Sequence, residues 1–147
     1  MVPILLWLQR RPENRYFWTV ALASGWLSWF GLLFWLRNFT GHLEFTGHTV
    51  VGWLLTAALS AIVAVFWVTW CWGARHLWGG VRELRFPDRI LIVCALAGAW
   101  VVLEWVRSWI FTGFPWLPLA ASQWQRPILL QILPYTGSWG LSWALVV

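Results

Sequence analysis

The chain has 147 residues, 61% of them hydrophobic and 10% charged, with a formal net charge of +5. A soluble domain averages about 25% charged residues and a bilayer crossing takes about 20 apolar ones, so the composition excludes a sizeable soluble domain and allows four or five crossings. The basic excess does not point to nucleic acid: all ten basic residues are Arg, and all but Arg107 sit in short loops between apolar runs, where membrane topology accounts for them.

Val2 to Leu8 is apolar but far too short to span, and reads as the tail of a helix or a short surface segment. It does not read as a secretory signal, because its Arg residues follow the apolar stretch instead of preceding it. Gln9 to Arg15 is a polar loop with Arg10, Arg11, Glu13 and Arg15. Tyr16 to Leu36 is the first span. Ser24, Gly25, Ser28 and Gly31 give it a small-residue face of the kind that lets helices approach closely in lipid.

Arg37 to His48 forms the next loop, carrying Arg37, His42, Glu44 and His48. Its Asn38-Phe39-Thr40 matches a glycosylation acceptor by chance. Its two His read as solvated loop residues. With His76 they are too scattered to suggest a metal site, and no cofactor is expected. Thr49 to Trp72 is the second span, with Ala57, Ala58, Ser60, Ala61 and Ala64 as its small face. Gly73 to Arg89 is a second basic loop, with Arg75, Arg82, Arg85 and Arg89 set against Glu83 and Asp88.

Ile90 to Phe111 is the third span and holds Glu104 and Arg107. At 1.5 Å per residue they lie about 22 and 27 Å from Arg89, in the outer third of a core about 30 Å thick. The loop of residues 112–127 follows. A fourth apolar run begins at Ile128, is interrupted by Gln131, Pro134 and Gly137, and becomes helical near Ser138. The expected spans are therefore 16–36, 49–72, 90–111 and 138–147 onward. The fold expected for residues 1–147 is an all-α membrane protein, a polytopic bundle of about four transmembrane helices. The last run stops with no capping or polar exit signal, as a truncated segment would.

Orientation follows from the Arg count. Loops 9–15 and 73–89 carry three and four Arg, whereas loops 37–48 and 112–127 carry one each. The first pair is then cytoplasmic and the second external, periplasmic in a Gram-negative cell. Cys71 and Cys94 fall inside expected helices, where a thiol acts as a small packing residue.

Glu104 and Arg107 are three apart and share a helix face. An intramembrane carboxylate is a functional-site candidate by default. Two readings stand. In one, the residues pair within the helix, Arg107 snorkels to the interface, and the couple ties the loop to the helix end. In the other, they meet a lipid head group or another domain, Arg107 holding a phosphate bidentately. The aromatics Phe111, Phe114, Trp116 and Trp124 form either an interfacial belt or the lining of an acyl-chain groove. Trp26, Trp29 and Trp100 lie too deep for a belt and read as packing residues.

Glu104-Trp105-x-Arg107, Thr112-Gly113-Phe114-Pro115-Trp116 and Ser122-Gln123 resemble the bacterial apolipoprotein N-acyltransferase family. So do Pro127 and Gly137-Ser138-Trp139-Gly140-Leu141-Ser142. The resemblance implies an inner-membrane enzyme that adds an acyl chain to lipoproteins, with phospholipid and lipoprotein as partners. It also implies a Glu-Lys-Cys triad in a nitrilase-like periplasmic domain beyond these residues. Such a triad attacks an ester with a thiolate, aided by a base and an oxyanion partner. This chain has no Lys, so no catalytic residue is carried over. It reads as the membrane portion alone, truncated relative to the family and expected to be inactive by itself. The docking candidates for lipid or the absent domain are Glu104, Arg107, Phe114, Pro115 and Trp116. The rival reading is a non-enzymatic membrane interaction protein, or half of a transporter with Glu104 as an ion or proton site.

Overall fold

The computed structural model describes residues 2–42, 47–110, 113 and 117–147, with the backbone alone at 39–42. Every regular element among them is helical. In order they are α1 (Val2–Leu8), α2 (Asn14–Leu32), a 3₁₀ segment Phe34–His42, α3 (His48–Trp78) and a 3₁₀ turn Val81–Glu83. Then come α4 (Phe86–Trp109), a 3₁₀ segment Leu119–Gln123, α5 (Pro127–Leu130) and α6 (Leu133–Val146).

Helices α3 and α4 are long and apolar enough to cross a membrane, with mean hydropathies of 2.2 and 1.9 over their most apolar windows. At 1.5 Å per residue they run about 46 and 36 Å against a hydrocarbon core of about 30 Å. A core helix of a soluble protein would be mostly covered, yet only 28% and 17% of those windows is buried within the chain. Leu54, Leu55, Ile62 and Val65 of α3 and Leu91, Val102 and Trp105 of α4 face outward. An apolar surface this extensive suits lipid and not water.

Helix α2 (Asn14–Leu32) ends short of the expected Leu36 and gives way to the 3₁₀ segment, and two further helices extend beyond the sequence pattern. Helix α3 continues past Trp72, so Arg75 and His76 lie in its last turn instead of in a loop. A charged side chain does not break a helix, and cations are favourable at its C-terminal end. The helix ends at Trp78, directly before the Gly79-Gly80 pair. Helix α4 starts at Phe86, ahead of Ile90, with Pro87 and Asp88 in its first turn, where a missing N–H and a carboxylate are both tolerated.

The chain divides into two compact units, with the boundary inside α3. The unit Pro12–Cys71 holds α2 and most of α3. Gly25 makes their approach possible, since a Cβ there would lie 2.6 Å from Trp67 Cδ1. The Trp26 indole N–H donates to the Ala57 carbonyl at 3.1 Å, and that of Trp67 donates to Ser24 Oγ at 3.1 Å. Both indole donors thus find partners within the unit. Ser60 and Ala64 are buried, but Ala58, Ala61 and Gly31 are exposed, so only part of each small-residue stripe faces the neighbouring helix. Rings of Trp26, Phe30 and Trp53 stack in series with centroids 5.0 and 5.9 Å apart.

The second unit comprises Met1–Arg11 and Trp72–Val147. Here α4 packs most extensively on α6, which also meets the Leu119–Gln123 segment and α5. The Trp143 indole on α6 donates to the Cys94 carbonyl on α4 at 3.3 Å. Helix α6 is broken at Gly137 (φ 65°, ψ −176°), which separates a short first turn from the run beginning at Ser138.

Candidate functional site

The last turns of α4 carry two charged side chains that its apolar sequence makes exceptional. Glu104 and Arg107 are each 4% exposed. Burying a carboxylate is unfavourable unless it is hydrogen-bonded, and Glu104 is. Its Oε1 accepts the Trp100 indole N–H at 2.9 Å from one turn earlier on the same helix. The same oxygen accepts the backbone N–H of Leu119 at 2.7 Å. Oε2 accepts no hydrogen bond among the described residues.

The Leu119 N–H belongs to the first residue of the Leu119–Gln123 segment, whose opening N–H groups have no partner within the segment. A carboxylate from α4 satisfies the first. The second, from Ala120, is donated to Ser142 Oγ of α6 at 3.1 Å, and Ser142 is fully buried. One short segment is thereby capped from two helices, by a charge and a hydroxyl. Charge-assisted bonds of this kind are about twice as strong as neutral ones.

Arg107 reaches the backbone just ahead of that segment. Its Nη2 lies 3.5 Å from the Leu117 carbonyl, a long contact that is more electrostatic than a full hydrogen bond. The Glu104 carboxylate also acts on the guanidinium through its field. Leu117 sits at φ 54°, a left-handed backbone that non-glycine residues seldom adopt and that persists only where its surroundings impose it. Gly113 has a φ of 88°, and its N–H donates to the Ile110 carbonyl at 3.0 Å. A Cβ there would lie 2.7 Å from the Ser108 carbonyl oxygen, so only glycine fits.

The structure therefore brings Glu104 and Arg107 together beneath the segment that follows α4. Phe114, Pro115 and Trp116, the other docking candidates, lie outside the described residues, as do Phe111 and Thr112. Sequence reading assigned Trp100 to packing alone. Its spacing of four before Glu104 is the pattern that identifies it as a donor. Ser142 lies in a stretch singled out by its motif, but nothing in its local pattern reveals its partner, Ala120.

This arrangement positions a backbone and offers no nucleophile. Cys71 is fully buried in α3, and Cys94 lies midway along α4 with its carbonyl taken by Trp143. No group of three or more His, Cys, Asp or Glu comes together among the described residues.

Comparison with known proteins gives one consistent answer. A family model described as the apolipoprotein N-acyltransferase N-terminal domain matches residues 1–147. The chain is 31% identical to an apolipoprotein N-acyltransferase of Allorhizobium ampelinum, over 95% of this chain and 26% of that protein. It is 41% identical to one of Azotobacter vinelandii over 64% of this chain and 17% of that protein. It is 37% identical to one of Methylococcus capsulatus over 63% of this chain and 17% of that protein. The chain thus spans about a quarter or less of the length of these curated relatives. No solved structure matches it.

Proposed function

Since the chain belongs to the apolipoprotein N-acyltransferase family and corresponds to its N-terminal domain, we propose that it is the membrane portion of an enzyme that transfers an acyl chain from phospholipid to lipoprotein. In this reading the chain resides in the bacterial inner membrane as a multi-pass protein. Loops 9–15 and 73–89 are cytoplasmic and loops 37–48 and 112–127 periplasmic, on the Arg asymmetry. The ester chemistry belongs to a catalytic domain on the periplasmic side. The end of α4 and the segment after it form the platform on which that domain docks and beside which phospholipid enters.

The observation that carries the proposal is the buried Glu104 carboxylate holding the Leu119 N–H at 2.7 Å. A docking platform needs the backbone after α4 held in place, and Glu104, Arg107 and Ser142 hold it at Leu119, Leu117 and Ala120. An ion or proton site is the weaker reading, because one carboxylate oxygen is already committed to two structural donors.

The test is a fusion of these residues to the remainder of a relative's enzyme, assayed for N-acylation of a lipoprotein peptide. Activity with the native residues, reduced by Glu104→Ala, is the expected result. A properly folded fusion with native residues and no activity overturns the proposal.

A further inference from the structure

Beyond Glu104 the chain carries almost no charge. Across residues 105–147 there is no Asp or Glu, and the charged side chains are Arg107 and Arg126. Among the described residues of that stretch, Ile128 and Tyr135 are the large apolar side chains most open to the surroundings, at 80% and 88% exposed.

The backbone puts these side chains in one line. Gln131 and Ile132, between α5 and α6, both keep right-handed helical angles (φ −65°, ψ −16° and φ −75°, ψ −27°). The Ile132 N–H donates to the Leu129 carbonyl at 3.3 Å, and those of Tyr135 and Thr136 donate to the Ile132 carbonyl at 3.1 Å. Residues 127–136 therefore wind as one nearly continuous helix until Gly137 breaks it. Ile128, Ile132 and Tyr135 are spaced four and three apart, so they share a face. All three are exposed, whereas Leu129, Leu130 and Leu133 are half-buried. A helix that is apolar all round is one that is covered all round, and here the chain covers one side only.

Two bonds fix the depth of this stretch. Glu104 holds the Leu119 N–H five residues before the end of α4 at Trp109, about 7.5 Å along the axis. Ser142 ties α6 to Ala120 at the same level, and Ser138 lies four residues, about 6 Å, from Ser142. Both ends of the stretch are thus held close to the Trp109 end of α4. That helix runs about 36 Å against a hydrocarbon core of about 30 Å, so its ends lie at the membrane boundaries.

We propose that residues 127–136 form an interfacial membrane anchor. Ile128 and Ile132 enter the acyl-chain region of the leaflet at the Trp109 end of α4, and the Tyr135 hydroxyl meets the head groups. A Tyr, apolar in body and polar at its tip, suits that boundary, and an uncharged apolar face suits the lipid just beneath it. Arg126, exposed at the start of the stretch, adds attraction to anionic head groups, and no acidic side chain in residues 105–147 opposes it. The anchor requires that α4 cross a membrane, but not that a catalytic domain dock on the Glu104 platform.

The experiment is spin-label accessibility of the full chain in nanodiscs of phosphatidylethanolamine and phosphatidylglycerol, with Cys71 and Cys94 replaced by Ala. A label at Ile128→Cys is exposed to oxygen, which concentrates in lipid, and to a nickel chelate, which stays in water. Val102→Cys, on the exposed face of α4, is the lipid reference, and Arg10→Cys, in the polar loop after α1, is the water reference. The ratio of oxygen to chelate collisions at Ile128 is expected to match that at Val102 and to exceed that at Arg10 several-fold. A ratio like that at Arg10 means that the face meets water. A label that is immobile and shielded from both probes means that protein, such as a second copy of the chain, covers it. Either result overturns the proposal. Should Ile128→Cys fail to fold, Ile132→Cys is read in the same way. A lipid-like Val102 beside a water-like Ile128 removes the anchor and leaves the α4 crossing intact, whereas a water-like Val102 removes both.

Discussion

Glu104 on α4 and Leu119, fifteen residues later, are joined by a 2.7 Å hydrogen bond from a backbone N–H to a carboxylate that is almost fully buried. The carboxylate closes the path of the chain between two helices as a cap closes a helix end. It does so from outside the capped segment, so the bond couples the position of the loop to the packing of α4.

Removing the carboxylate strands two donors. Glu104→Ala removes the acceptor of the half-buried Trp100 and Leu119 N–H groups, at about 1 kcal/mol each. Glu104→Gln keeps an acceptor oxygen at nearly the same place. Thermal unfolding in detergent is expected to show a clear drop in Tm for the Ala variant and a smaller one for Gln. Equal drops would mean that charge, and not acceptance, is what matters.

The Trp100 donor is separable from its ring. Trp100→Phe keeps most of the apolar bulk and loses the N–H, so it is expected to destabilise by about 1 kcal/mol. Combined with Glu104→Ala it should add less than its own single effect, because the bond is already gone. A double-mutant cycle measures this, and full additivity would show that the two groups are not coupled.

How much of this was legible in the sequence differs from residue to residue. Glu104 and Arg107 stood out because charge in an apolar run is rare, and they are buried at the end of α4. The all-α fold followed from apolar run lengths, and α3 and α4 are the helices long enough to cross. The extent of α3 did not follow, since Arg75 read as a loop signal, whereas the helix runs on to Trp78, just before Gly79-Gly80. The partners Leu119 and Ser142 were hidden for another reason. One contributes a backbone group with no side-chain signature, and the other contributes a hydroxyl that meets Ala120 from 22 residues away. Contacts made by backbone across a fold leave no local pattern to read.

Gly113 is expected to be intolerant of any side chain. Its φ of 88° is unfavourable for an L-residue by about 1–2 kcal/mol. A Cβ would in addition press on the Ser108 carbonyl at 2.7 Å, and backbone does not swing aside. Gly113→Ala is therefore expected to lower acylation by the fusion enzyme more than it lowers the Tm of the whole chain, because the strain falls on the loop path. A near-native rate would show that the turn is not needed for docking.

Gly25→Ala tests the other unit. The added methyl would lie 2.6 Å from Trp67 Cδ1, forcing apart helices that otherwise meet closely. Overpacking of this kind costs about 1–3 kcal/mol. Trp67→Leu alone loses the bond to Ser24, but combined with Gly25→Ala it makes room for the methyl. The double variant is expected to have a higher Tm than the sum of the singles implies, and a strictly additive Tm would remove steric contact as the cause.

The proposed topology predicts which positions face the outside of the cell. Trp124 is 71% exposed in the segment after α4, whereas Arg85 is exposed just before that helix begins. With Cys71 and Cys94 replaced by Ala, Trp124→Cys should react in intact cells with a maleimide that cannot cross the inner membrane. Arg85→Cys should react only after permeabilisation. The reasoning rests on the Arg imbalance of four against one between loops 73–89 and 112–127, each cytoplasmic Arg being favoured at the inner surface. The reverse labelling pattern would place the Glu104 platform on the cytoplasmic side, away from any periplasmic catalytic domain, and the proposed docking role would fall with it.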